Sequence, residues 1–170
     1  MQTSRTVVTL TLALAWFALP AAAQEHAMQP SKGFEQLKPL LGEWDGQAAG
    51  GKAVHASYQL VSGGTALLER LGMGSEPEMV TVYTADGDRL AVTHFCSAGN
   101  QPQMQTAAVT SPTTEFSFSF VRATNLASPS AGHMHHLTVA LQDHDHFTEA
   151  WTWSEKGAEH TEIFHFTRKG

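Results

Sequence analysis

Three short stretches carry most of the side chains able to do chemistry. Thr93-His94-Phe95-Cys96 ends a strand-like run with an imidazole and the only thiol two positions apart. His133-Met134-His135 repeats that spacing with two imidazoles, and Glu149-Ala150-Trp151-Thr152-Trp153 sets one carboxyl among indoles. Residues two apart on a strand share a face, so each pair can offer two donors to one point. Imidazole with thiolate suits zinc or a similar divalent metal, which makes His94, Cys96, His133 and His135 the candidate ligand set. The plainer alternative is a group of separate, hydrogen-bonded side chains at a barrel mouth. No Cys-x-x-Cys or His-Glu-x-x-His spacing is present. Cys96 beside His94 also admits a thiolate–imidazolium nucleophile, but no third orienting group accompanies them, and a buried inert thiol competes with it. His144 and His146 with their flanking aspartates offer a surface chelate, against which stands adventitious binding by a His-rich turn.

These residues need elements to hold them. Phe34, Leu37, Leu40 and Leu41 fall at helical spacing behind Ser31 as a cap, and Pro39 limits the helix to a turn or two. From Gly42 the period changes to two, with turn signals about every ten residues. Strands are expected over 43–49, 54–61, 66–71, 79–84, 89–96, 104–110, 114–123, 133–142, 146–154 and 159–168. The expected fold is all-β: an up-and-down antiparallel β-barrel of about ten strands with a short N-terminal helix. Closure removes the exposed edges of such a sheet.

Parity then assigns faces. Leu90 and Val92 carry His94 and Cys96 inward; Leu137, Val139 and Leu141 carry His133 and His135 inward. Phe147, Glu149, Trp151 and Trp153 share a face, as do Phe116, Phe118 and Phe120 between Ser117 and Ser119. A turn at Asp143-His144-Asp145 places His135 across from Trp153 and Leu137 across from Trp151. A hairpin tip at Asp86-Gly87 pairs Met79, Thr81 and Tyr83 with His94, Val92 and Leu90. Tyr58 and Tyr83 offer hydroxyls to a ligand or to each other, while Asn100 and Gln101 serve the turn after Cys96.

The first residues read as an export leader. Arg5 precedes an apolar run from Val7 to Leu19, and Ala21-Ala22-Ala23 supplies small residues for cleavage. The expected organisation is a leader over 1–23, a loose arm over 24–32 and one domain over 33–170. The product is expected in the periplasm or outside the cell, with no membrane insertion after leader removal. One cysteine forbids an internal disulfide, so stability rests on packing. A formal charge of -6 with no basic run argues against nucleic acid as a partner. Ten histidines make the net charge sensitive to mild acid.

The stretch Gly42-Glu43-Trp44-Asp45-Gly46 resembles the first strand of the calycins: lipocalins, fatty-acid-binding proteins and their bacterial relatives. The resemblance implies that an Arg of the last strand, here Arg168, packs across Trp44. Thr93 to Met104, His133-Met134-His135 and Trp151-Thr152-Trp153 are similar to a family of exported bacterial proteins of calycin-like shape with no assigned activity, fold neighbours of the haem-binding nitrobindins. In the nitrobindins a His near the C-terminus holds haem; here only His165 or His160 lies near that place. If Phe164 and Phe166 face inward, His165 faces solvent.

The functional expectation is a small, partly apolar molecule bound inside the barrel. Tyr58, Tyr83, His94, Phe118, His133, His135, Glu149, Trp151 and Trp153 are the candidate contacts. A divalent metal such as zinc, or haem, held by the inward histidines is the alternative, and catalysis a third.

Overall fold

The computed structural model describes residues 31–170. The expected leader and nearly all of the arm lie outside the described residues.

A one-turn helix α1 (Lys32–Glu35), capped by the Ser31 side chain, leads through a short 3-10 turn (Lys38–Leu40) into ten strands. They are β1 (Gly42–Gln47), β2 (Ala53–Val61), β3 (Ala66–Gly72), β4 (Met79–Asp86), β5 (Arg89–Phe95), β6 (Gln101–Gln105), β7 (Glu115–Thr124), β8 (His133–Leu141), β9 (His146–Glu155) and β10 (Ala158–Arg168). Each strand pairs antiparallel with its sequence neighbours, and β1 pairs with β10 to close the barrel. The expected all-β, up-and-down architecture is the one observed.

Alternation drives the closure. On β7 Phe116 and Phe118 are buried while Ser117 and Ser119 are exposed, and Leu137 and Val139 on β8 face the same interior. Phe34, Leu37 and Leu40 from the leading segment are buried against one barrel end, where Gly33 abuts Leu90 at the start of β5. Trp44 is fully buried and donates from Nε1 to the Leu40 carbonyl at 2.7 Å. The Arg168 guanidinium lies 4.0 Å from its ring centroid and donates to the carbonyls of Leu41 and Pro39 at 2.8 and 2.6 Å. Gly46, two residues on, has no room for a side chain: a Cβ there would meet the Phe166 ring at 2.6 Å.

Three expectations fail locally. The sixth strand lies earlier than 104–110, at Gln101–Gln105. Beyond it Thr106 and Val109 bond individually to the carbonyls of Leu90 and Asp88, so the chain follows β5 without forming ladder pairs. The β4–β5 turn holds Gly87 and Asp88 rather than Asp86 and Gly87, so Thr81 rather than Met79 opposes His94. That slip is by two residues, so every side chain keeps its face. On β8 a bulge between Met134 and His136 inserts His135 as an unpaired residue. Leu137 opposes Trp151 as expected, but Trp153 opposes Met134 and not His135. One extra residue reverses the alternation beyond it.

Candidate functional site

Cross-strand register builds the site. Tyr58 on β2 pairs with Glu69 on β3, Glu69 with Thr81 on β4, and Thr81 with His94 on β5. All four side chains are buried, so a polar rung crosses four strands of the inner wall. From the opposite wall Glu149 on β9, also fully buried, completes a network. Tyr58 Oη donates to Glu149 Oε1 at 2.5 Å and Trp151 Nε1 to Glu149 Oε2 at 2.9 Å. Tyr83 Oη donates to Glu69 Oε2 at 2.9 Å and lies 3.5 Å from Glu149 Oε1. Thr81 Oγ1 is 3.0 Å from His94 Nδ1.

Burial sets the protonation of this network. It raises Glu69 well above the usual carboxylic range, the nearby Glu149 carboxyl raises it further, and the Tyr83 hydroxyl pulls against both. Glu149 is raised by the same burial, but bonds from Tyr58 and Trp151 hold it down. Burial therefore favours the protonated form at both carboxyls, and more strongly at Glu69. Both tyrosines are pushed well above their ordinary range, first by burial and then by these carboxyls, and so keep the protons that they donate. Burial lowers His94 to about 4, so its ring is neutral at neutral pH.

His94 is where the network meets space. Its Nε2 is buried and, among the described residues, lacks a hydrogen-bond partner. The ring packs on Trp151 with centroids 4.5 Å apart. Both line a cavity of about 80 Å³ with Leu71, Met73, Met79, Met134, Trp153, His160, Glu162 and Phe164. Met73, Met134 and Trp153 are half-buried and His160 is exposed, so the cavity opens at the barrel end where β5 finishes, opposite α1. A larger concavity of about 650 Å³ lies outside the barrel between α1 and the turns around Gly63 and Gly87. Its charged side chains Glu35 and Lys38 pair with each other at 2.6 Å, and among the described residues no partnerless buried polar atom lines it. The small cavity carries the chemistry.

The candidate residues divide into three groups. His94, Trp151 and Trp153 line the cavity. Tyr58, Tyr83 and Glu149 stand behind it in the network. Phe118 faces inward but packs edge-on against Tyr83 at 5.8 Å in the filled part of the core, away from the cavity. His133 and His135 do not reach the cavity, because the β8 bulge turns Met134 into that wall instead. His133 Nδ1 donates to the Ala131 carbonyl at 2.8 Å, its Nε2 lies 3.3 Å from His135 Nδ1, and both rings pack on Phe120.

Nor does the metal set of His94, Cys96, His133 and His135 assemble. Cys96 is buried in the apolar core at the turn after β5, and the histidine pair sits elsewhere. Among the described residues no three His, Cys, Asp or Glu side chains come together in a group that could hold a metal ion. His144 and His146 are taken up locally by Asp145 and Asp143 at 2.6 and 2.9 Å. Haem does not fit either: Phe164 and Phe166 face inward, and His165 is exposed on the outer face. His160 does line the cavity mouth, but a cavity of about 150 Å³ holds a ligand of only benzene size, and 80 Å³ admits no macrocycle.

Glu69 is the main participant that pattern reading missed. It shares parity with Leu67 and Leu71, and that was the available signal. The cavity walls Met73 and Met134 had none, since one follows a strand end and the other depends on the bulge.

No family model matches the chain, and no curated protein matches it. Among solved structures it is similar to a protein of unknown function of the DUF3598 family from Nostoc punctiforme. The identity is 17%, the TM-score 0.54, and the match covers 78% of this chain and 49% of that one. The chain thus spans about half the length of that neighbour, and the likeness concerns the barrel fold alone.

Proposed function

We propose that this chain is an exported, calycin-like barrel that binds a small, partly apolar ligand in the cavity beside His94. The supporting observation is the buried, partnerless Nε2 of His94, a residue that lines this cavity among apolar and aromatic walls. A buried polar atom without a partner costs about 1–3 kcal/mol, and a ligand that bonds to it recovers that cost. With its proton on Nδ1 toward Thr81, His94 presents a lone pair and accepts from a hydroxyl or amine of the ligand.

Volume narrows the class. A cavity of 80 Å³ takes a few heavy atoms, or the end of a longer molecule entering past Met73 and His160. At a ceiling of about 1.5 kcal/mol per heavy atom, a four-atom ligand binds at roughly 10–100 μM at best. The leader-like composition of residues 1–23 supports export.

Titration with primary alcohols from ethanol to hexanol, followed by the emission of Trp151 and Trp153, tests this. Saturable changes for short alcohols with a length cut-off are expected. His94→Phe keeps a flat ring but removes the acceptor, and should weaken binding roughly 3–10-fold, the worth of one hydrogen bond. Emission that never saturates, or is indifferent to His94→Phe, would overturn the assignment. Amino-terminal sequencing of the protein from the cell envelope or medium tests export, with the first residue expected near Gln24.

A further inference from the structure

We propose that the same cavity coordinates a single Cu(I) ion, with His94 Nε2 and the thioether sulfurs of Met73, Met79 and Met134 as ligands. The inference rests on the cavity being an accessible binding site, as proposed above.

Three methionines line one small cavity with His94, whose Nε2 is buried and partnerless among the described residues. Methionine by itself is ordinary core filler. The buried nitrogen is the independent sign that something is to be bound there. Thioether and imidazole are soft-to-borderline neutral donors, the set that favours Cu(I) over zinc or magnesium. Met side chains have three rotatable bonds, so the sulfurs of a shared wall can be re-aimed by rotamer changes.

Surroundings of the site agree. Metal-bound imidazoles commonly donate their other N–H to a fixed oxygen, which orients the ring. His94 Nδ1 has that partner in Thr81 Oγ1 at 3.0 Å, and Thr81 stands next to Glu69 in the rung. Met79 Sδ lies 3.7 Å from Ser97 Oγ, a weak contact that steadies one wall and leaves the second sulfur lone pair free. The indole of Trp151 forms part of the wall and offers an electron-rich face to a cation. Half-buried Glu162 on the rim adds negative charge at the entrance. With neutral first ligands the bound ion keeps its single charge, and a divalent ion would face a far larger desolvation penalty there.

The test is an anaerobic titration of the whole protein with Cu(I) against a chromogenic Cu(I) chelator, repeated with Ag(I) as a redox-inert stand-in. One equivalent should be withdrawn from the chelator, with quenching of tryptophan emission. The triple variant Met73→Leu, Met79→Leu, Met134→Leu conserves volume and apolarity. It should lose Cu(I) affinity at least 100-fold, with the barrel intact by far-UV circular dichroism. Met73→Leu alone, at the half-buried edge, should show a smaller loss and guards against misfolding of the triple variant. His144→Ala with His146→Ala should change nothing. Undiminished Cu(I) affinity in both leucine variants, or no competition by the wild-type protein while the alcohols bind, would overturn the copper assignment alone. Failure of both Cu(I) and alcohols would overturn the cavity reading beneath it.

Discussion

Glu69 and Glu149, on opposite walls of the barrel, meet at one hydroxyl: Tyr83 Oη is 2.9 Å from Glu69 Oε2 and 3.5 Å from Glu149 Oε1. Two carboxyls so buried cannot both ionise, and the proton they keep makes the fold sensitive to base.

Glu69 is raised in the folded state relative to the unfolded chain. Its contribution is therefore complete below the ordinary carboxylic value and is lost as pH rises toward the folded value. Each tenfold of extra proton affinity is worth about 1.4 kcal/mol. Glu69→Gln, which copies the protonated acid, should flatten the alkaline side of the stability curve and raise the midpoint of urea unfolding at pH 8–9. An unchanged or steeper alkaline limb would refute the shared-proton arrangement.

His94 runs the opposite way. Its folded value is about 4 against about 6.5 for the unfolded ring. Between those values the unfolded state takes up a proton that the folded state refuses, so stability falls as pH drops from 6.5 toward 4. The loss reaches about 3 kcal/mol at most. Alcohol binding should accordingly stay level from pH 8 to pH 5 and fail only near pH 4, below the ordinary histidine range. A midpoint near pH 6.5 in the binding curve would show that His94 is not the acceptor.

Phe118 separates core from site. It is wholly buried and touches Tyr83 but not the cavity. Phe118→Ala should cost about 3–5 kcal/mol of stability while alcohol binding at 10 °C changes less than twofold. A selective loss of binding would put Phe118 back at the site.

Gly132 lies so close to Trp153 that a Cβ would stand 2.1 Å from the indole. Gly132→Ala must push the ring aside. The expected result is a shifted tryptophan emission maximum and weaker alcohol binding, with the barrel intact by far-UV circular dichroism. Unaltered emission would mean that Trp153 has no fixed place in the cavity wall.

Arg168 holds Trp44 through its ring face and through the carbonyls of Leu41 and Pro39. Arg168→Ala should cost about 2–4 kcal/mol. Arg168→Lys should recover only part, because an ammonium cannot span both carbonyls as the planar fork does. Equal stability of the Lys variant and the wild type would contradict this.

Period-two alternation made much of the molecule legible. It placed His94, Glu149, Trp151, Phe116 and Phe118 inward, and each is buried. The resemblance carried by the Gly-x-Trp start implied the Trp44–Arg168 contact. What alternation cannot carry is a bulge, because one inserted residue leaves no mark in composition. His135 was placed in the interior for that reason, and the bulge put Met134 there instead. Glu69 was missed for a different one. In Leu-Glu-Arg-Leu a carboxylate next to a guanidinium reads as a solvated pair, yet Arg70 bonds outward to Glu78 while Glu69 turns inward.

The closure between β1 and β10 also bears on how the chain comes to be folded. Among the described residues nine of the ten strand pairings join consecutive strands, which close much shorter stretches of chain. The tenth joins the two ends of the barrel over four registered residue pairs, from Trp44↔Arg168 to Gln47↔His165. Loop closure over the whole domain is entropically the most demanding of these steps, so this seam belongs to the downhill side of the folding transition state. Substitutions at Arg168 should then leave the refolding rate nearly unchanged and accelerate unfolding. The clasp on Trp44 thereby governs how long the barrel stays shut more than how fast it forms.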